Sequence, residues 1–458
     1  MTVLWTGDEI AAATGGTASA RFDVTGVTFD SREVGPGDLF VAMPGTVHDG
    51  HDFLDAAFAA GAAAAITSRV IEQPHVLVDD VFAALQALGR ASRERTNATV
   101  IGVTGSVGKT STKEALYAAL DRCRPGKAHR SVKSYNNHTG VPLSLARMPR
   151  DTDYAVFEMG MNNAGEITEL TRQVRPHVAI ITAIAPAHIE SLGSEEAIAD
   201  AKGEIFQGLE PGGTAIVPFD SPHRERLIAA AKPHAARILT FGLGEGADVR
   251  ALEAVPALRG GTLVNARLPG AELSFTIAAP GEHWVSNALA VIAAVEAAGG
   301  DLAAAGLALA DLEGLPGRGR RIEANGALII DEAYNANPAS MAATLKLLGE
   351  EKAERRIVVL GEMRELGEHS ARYHAALADP IVAANVEYAL LVGSEMAPLA
   401  NALEGKVNFE HVPDAATALA RLQRTIAPGD AVLIKGSNAI GLARVVDALA
   451  TESVECSI

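Results

Sequence analysis

The sequence predicts an α/β protein of three domains, a mixed one followed by two built on parallel sheets, and three observations lead there. The chain has 458 residues, too many for one core when domains run to about 100–200 residues each. From residue 99 onward short apolar runs alternate with helical patterns, the rhythm of βαβ units and hence of parallel sheets. Between residues 100 and 111 one such run enters a Gly-rich turn that opens a helix. That arrangement gathers backbone N–H groups and the positive end of a helix at one point.

In chain order, residues 1–97 mix short strands with Ala-rich helical stretches and end in the polar run Arg93-Glu94-Arg95-Thr96-Asn97, which sets a boundary. Residues 98–315 carry the apolar runs 99–103, 154–159, 177–185 and 213–218, the predicted parallel strands of a central domain. A Gly-rich stretch from 241 to 280 predicts extra strands, and an Ala-rich helix follows Gly281. The turn-like, basic segment 315–321 predicts a hinge into a third domain, 316–458, with strands at 327–331, 356–361, 388–392 and 431–435.

Composition narrows the class. Hydrophobic residues make up 48% and aromatic ones 4%, so the cores rest on aliphatic side chains. The net charge of −17 is spread without long acidic runs, which argues against a nucleic-acid or anionic-membrane partner. No apolar stretch has the roughly 20 residues needed to span a bilayer, and the N-terminus lacks a basic region followed by an apolar run. A soluble, cytoplasmic protein is expected. The two cysteines, Cys123 and Cys456, form no cluster, which disfavours a thiolate zinc site.

The run Thr104-Gly105-Ser106-Val107-Gly108-Lys109-Thr110-Ser111 is a short variant of the phosphate-binding loop. The standard spacing would put glycine at Val103, but Gly105, Gly108, the Lys109 ammonium and the Thr110 hydroxyl are all delivered. They suit a nucleoside triphosphate with its Mg²⁺.

Ligands of open α/β sheets bind outside the carboxyl ends of the strands, and polar residues gather there. After the central strands come the phosphate loop, Glu158 and His188; after the C-terminal ones come Asp331 with residues 334–338, then Glu362, Gly393-Ser394 and Lys435-Gly436-Ser437. This predicts two facing ligand surfaces with a cleft between domains. A carboxylate in the apolar run at Glu158 is costly to desolvate, so it reads as a Mg²⁺ ligand or a salt-bridged edge residue. His188 reads as a metal or phosphate ligand or as a loop histidine bonded to backbone. Spacing alone makes Lys202 a solvated helical lysine.

These residues resemble the ATP-dependent Mur ligases of peptidoglycan synthesis, and within them the MurF type. The likeness runs through Asp30-Ser31-Arg32, residues 36–42, Asp49-Gly50-His51-Asp52-Phe53, the phosphate loop, residues 158–161, 187–189, 201–205 and 281–287, and Tyr334-Asn335-Ala336-Asn337-Pro338 after Asp331. It implies a UDP-sugar substrate-binding domain over 1–97, a central P-loop ATPase-like domain over 98–315 and a C-terminal Rossmann-like ligase domain over 316–458. It further implies ATP held by residues Thr104 to Ser111, by His283, by Asn287 near the base, and by Arg318 and Asp331 from across the junction. Thr110 and Glu158 would hold one Mg²⁺, and His188 with a carbamate on Lys202 a second. Lys109, Glu158, His188 and Lys202 would thus carry the catalysis. Ser31, Arg32, Asp49, Gly50 and His51 would take the UDP-sugar end, and Asn335, Asn337, Lys435 and Ser437 would also bind substrate.

Members of the type join D-alanyl-D-alanine to UDP-N-acetylmuramoyl-tripeptide, and a monomer is expected. One departure is Asn438, where many members carry arginine after Lys-Gly-Ser. A folylpolyglutamate synthetase-like ligase would share the loop but not residues 30–32 or 334–338. A nucleotide switch would hydrolyse its nucleotide without carboxylate or amine substrates.

Overall fold

The computed structural model describes residues 2–45, 48–258, 260–312 and 314–455. Three large sheets organise it. The N-terminal one has five strands, ordered Thr17–Ala18, His75–Leu77, Ala64–Thr67, Asp38–Val41 and Gly26–Thr28. Beside it, Trp5–Thr6 pairs with Asp23–Val24. The helix Val81–Glu94, started by the Asp80 side chain on Ala83 N–H, leads out of this unit.

The central sheet has nine strands. At its heart Thr99–Thr104 lies parallel between Tyr154–Glu158 and Val178–Ile181, with Thr214–Pro218 and Arg237–Gly242 continuing on one side and Ala128–Arg130 on the other. The strands Val249–Pro256, Thr262–Leu268 and Ala271–Ile277 extend it, the last two antiparallel. These are the extra strands predicted from the Gly-rich stretch. The predicted run 177–185 stops as a strand at Ile181, because Thr182, Ala183 and Ala185 turn to bond the phosphate loop.

The C-terminal sheet has six strands, ordered Arg320–Ala324, Ala327–Glu332, Asp430–Lys435, Arg355–Gly361, Tyr388–Val392 and Asn408–Val412. Only its first pair is antiparallel. The segment predicted as a hinge therefore runs into an edge strand from Arg320. The fully buried Val, Ile and Leu of these strands place them between helices on both faces, as parallel sheets require.

The units are closely joined. Trp5, 2% exposed, donates its indole N–H to Ala146 O at 2.9 Å, and the Arg95 guanidinium stacks 3.3 Å from its ring centroid. One apolar cluster contains Phe157, Ile181 and Ile205 of the central unit together with Leu345, Leu360 and Leu433 of the C-terminal one. The carboxyl ends of the central and C-terminal strands thereby face a shared cleft. Among the described residues no helix is long and apolar enough to cross a membrane.

Candidate active site

The cleft has a volume of about 510 Å³ and takes walls from the phosphate loop, the ends of the neighbouring strands, the helix Glu282–Ala297 and the C-terminal segments around 317 and 332–344. Local sequence explains its floor. Gly108 has φ 86°, and a side chain there would come within 2.7 Å of Asn287 Oδ1. A Cβ on Gly105 would collide with Thr182 Oγ1. Ser106 locks the loop onto the next strand end, donating to Ala185 O at 2.9 Å and accepting from Ala185 N–H at 3.0 Å. The helix Lys109–Cys123 then begins, with the Lys109 ammonium donating to Gly105 O at 2.6 Å.

Strand register brings Glu158 beside this loop, since it pairs with Val103 on the adjacent strand. Its side chain is 1% exposed and is held by two donors, Thr110 Oγ1 at 2.8 Å and Asn136 Nδ2 at 2.7 Å. Ser111 and Ser134 line the same wall. The hydroxyl of Thr104, at the start of the loop, has no hydrogen-bond partner among the described residues.

His188 has φ 62° and precedes the short helix Ile189–Leu192. Its ring pairs with Glu365 from the C-terminal unit, and that contact holds the Glu365 carboxyl below its ordinary pKa. Lys202 corrects the solvated reading. It lies on the inner face of the helix Glu195–Gly203, 1% exposed, beside the fully buried Ile198 and Ala199. Among the described residues no carboxylate or carbonyl takes a bond from its ammonium. Burial pulls its pKa well below the lysine value, and the nearby Lys109 charge pulls the same way. Lys109 is itself lowered by burial, against the opposing charge of Glu158.

On the far wall, His283 and Asn287 stand one turn apart on the helix Glu282–Ala297. Burial, then the charge of Lys435, push the His283 pKa down to about 4, so the ring is neutral at pH 7. The Arg318 guanidinium stacks 4.1 Å from the Tyr334 ring centroid. Lys435 donates to Asn335 O at 2.9 Å and lies 3.4 Å from Glu332 Oε2. Desolvation raises the Glu332 pKa against that pairing.

Several expected residues are placed otherwise. Asp331 does not line the cleft; its carboxylate accepts Gly317 N–H at 2.8 Å and Arg320 Nε at 3.2 Å, fixing the turn that presents Arg318. Strand alternation gives the cleft to its neighbour Glu332 instead. Asn337 lines the cleft but spends its side-chain oxygen capping the helix Pro338–Glu350. Ser437 is buried and accepts Arg364 N–H at 3.0 Å. Ser31 and Arg32, in a turn of the N-terminal unit, and Asp49, Gly50 and His51, at the start of the 3₁₀ helix Gly50–Phe53 that Asp49 caps, do not line this cleft. There Arg32 pairs with Asp30 through two bonds, at 2.8 and 2.6 Å, and His51 Nδ1 lies 2.6 Å from Asp49.

Asn136, Trp284, Glu332 and Glu365 were not singled out from sequence. The adjacent pair Asn136-Asn137 after a short polar strand was the available signal for the first.

Replacing Gly108 by alanine forces a left-handed conformation at a cost of roughly 1–2 kcal/mol and crowds Asn287. Titration with a fluorescent nucleoside diphosphate is expected to show affinity weakened by about tenfold or more, with a cooperative unfolding transition retained; unchanged affinity would remove the loop from nucleotide binding.

Comparison with known proteins agrees with this arrangement. Family profiles described as "Mur ligase family, catalytic domain", "Mur ligase middle domain" and "Mur ligase, glutamate ligase domain" match residues 23–104, 103–295 and 317–438. The UDP-N-acetylmuramoyl-tripeptide–D-alanyl-D-alanine ligase of Escherichia coli is 35% identical over 443 residues, covering 94% of each chain. The crystal structure of MurF from Acinetobacter baumannii superposes with a TM-score of 0.85 at 32% identity, covering 98% of this chain and 99% of that one. MurF ligase from Thermotoga maritima, solved in complex with ADP, gives 0.77 at 27% identity, covering 94% and 98%. The chain belongs to the Mur ligase family and, within it, to the MurF type.

Proposed function

We propose that the protein joins D-alanyl-D-alanine to UDP-N-acetylmuramoyl-tripeptide at the expense of ATP, giving the UDP-muramoyl-pentapeptide, ADP and phosphate. The observation that carries this is the cleft itself. A phosphate loop and a buried carboxylate on one wall face a second α/β unit on the other, in a chain 35% identical along nearly its whole length to a ligase of that name.

A carboxylate is a poor electrophile because it is anionic and has no good leaving group. In this reading one oxygen of the tripeptide's terminal carboxylate attacks the γ-phosphorus of ATP, and the bond to the β-phosphate oxygen breaks, releasing ADP. The dipeptide amine then attacks the acyl phosphate; the C–O bond breaks, phosphate leaves and the nitrogen gives up a proton. Lys109 offsets charge on the phosphates, and developing charge held by such preorganised groups is worth about 10²–10³ in rate per donor. Asn287 and His283 flank the base. Arg318, aimed by the turn that Asp331 fixes, and Lys435 close over the nucleotide from the second unit and exclude water from the intermediate. The N-terminal segments at Ser31, Arg32 and Asp49 to His51 take the UDP-sugar end, while Asn335, Asn337 and Ser437 belong to the side from which the amine arrives.

The residues fit Mg²⁺. The Thr110 hydroxyl and the Glu158 carboxylate offer hard oxygen donors side by side. Among the described residues no cluster of three His, Cys, Asp or Glu side chains could hold a metal alone, so the nucleotide would complete the shell. Bound there, Mg²⁺ neutralises anionic oxygens that must approach one another. Lys202 fits a carbamate. A buried lysine whose ammonium finds no acceptor among the described residues, and whose pKa burial pulls well down, presents the neutral amine that carbon dioxide requires, and the product would place there an anion that the nearby Lys109 can offset. The same reading makes the protein a cytoplasmic monomer without a nucleic-acid partner.

Phosphate release from ATP, with product mass read in parallel, is expected only when tripeptide and dipeptide are both present; release with neither would favour a nucleotide switch. Lys202→Ala is expected to be nearly inactive and partly restored by acetate. Full activity without acetate would remove Lys202 from the mechanism.

A further inference from the structure

Lys113 lies one helical turn beyond Lys109 and has no part in the scheme above. Its side chain is fully buried, where a lone ammonium would be costly to desolvate. Its neighbours satisfy it. It donates to Ser131 O at 3.0 Å and Lys133 O at 2.5 Å, pairs with Glu114 Oε1 at 2.9 Å and stands 4.0 Å from Glu158 Oε2.

Two of those acceptors belong to the segment that leaves the strand Ala128–Arg130 and delivers Ser134 and Asn136 to the cleft. This segment needs holding. Lys133 has φ 52°, a conformation that costs a non-glycine residue roughly 1–2 kcal/mol. Glu158 is tied to the same segment two ways: its N–H donates to Ser131 Oγ at 3.1 Å and Asn136 Nδ2 donates to its carboxylate at 2.7 Å; two residues on, Gly160 N–H donates to Asn136 O at 2.7 Å. The segment's outer side pairs Lys133 with Glu33, next to Arg32 of the N-terminal unit, and the Tyr135 hydroxyl reaches the same carboxylate at 3.4 Å.

We propose that Lys113 is a positioning residue for the ligation, fixing the 131–136 segment from the helix of the phosphate loop so that Asn136 and Glu158 stay in the arrangement the cleft uses. This rests on the ligase reading. Lys113 reaches no ligand itself, so its loss disturbs Glu158 and Asn136 while the Lys109 end of the loop keeps its grip on phosphate.

Lys113→Met removes the charge at similar volume. Its kcat is expected to fall by about 30-fold or more, while the dissociation constant for a fluorescent ADP analogue stays within about threefold. In an Asn136→Ala background the same change should cost less than about threefold, because coupled residues are non-additive. Either kcat within about threefold of the parent, an equal loss in both backgrounds, or nucleotide affinity lost in step with kcat overturns the proposal. If Lys113→Met shows no cooperative unfolding, Lys113→Ala is assayed with n-propylammonium. Recovery of kcat supports positioning; no recovery, or failure of this variant to fold, assigns Lys113 to the fold alone. A parent that does not ligate would be seen before any variant is compared, and would refute the ligase reading instead.

Discussion

The carboxylate of Glu158 is the constraint on which the rest of the site depends. Leaving such a charge unpaired in a sheet interior costs several kcal/mol, so its surroundings must answer it. The parallel register with Val103 puts it against the phosphate loop, and the Thr110 hydroxyl and Asn136 amide close on its two oxygens. The loop, the strand beside it and the segment after Ala128–Arg130 are thereby held to one geometry. None of the three can shift without exposing or orphaning that charge.

The opposite sign dominates the remainder of the cleft. The chain carries a net charge of −17, yet Lys109, Arg318 and Lys435 line it together, and burial depresses the pKa of both lysines. Like charges brought together out of water are unfavourable unless anions arrive to meet them. A triphosphate and a substrate carboxylate are such anions, and the second unit contributes two of the three cations. The energy of closing the cleft is therefore tied to the presence of ligand, which is how a hinged ligase can keep water from an acyl phosphate.

Much of this was legible in the sequence. The phosphate loop announces itself because glycines, lysine and threonine must stand at fixed offsets between a strand and a helix. Glu158 was visible because a carboxylate ending an apolar run demands a reason. Lys202 was visible only through the family resemblance and not from its spacing, since which face of the helix Glu195–Gly203 is buried depends on what packs against it. The strands Ala128–Arg130 and Arg320–Ala324 were hidden by their short or charged sequences, and with the first went Asn136. The choice between Asp331 and Glu332 turned on strand alternation against a turn at Gly317 that only the folded chain creates.

The most direct test of carboxylate activation in this cleft follows an oxygen atom. With UDP-muramoyl-tripeptide labelled with ¹⁸O in its terminal carboxylate, turnover in the presence of ATP and D-alanyl-D-alanine is expected to place one labelled oxygen in each released phosphate, read by mass spectrometry. Phosphate free of label, with pentapeptide still formed, would contradict the acyl phosphate and the account of the cleft built on it.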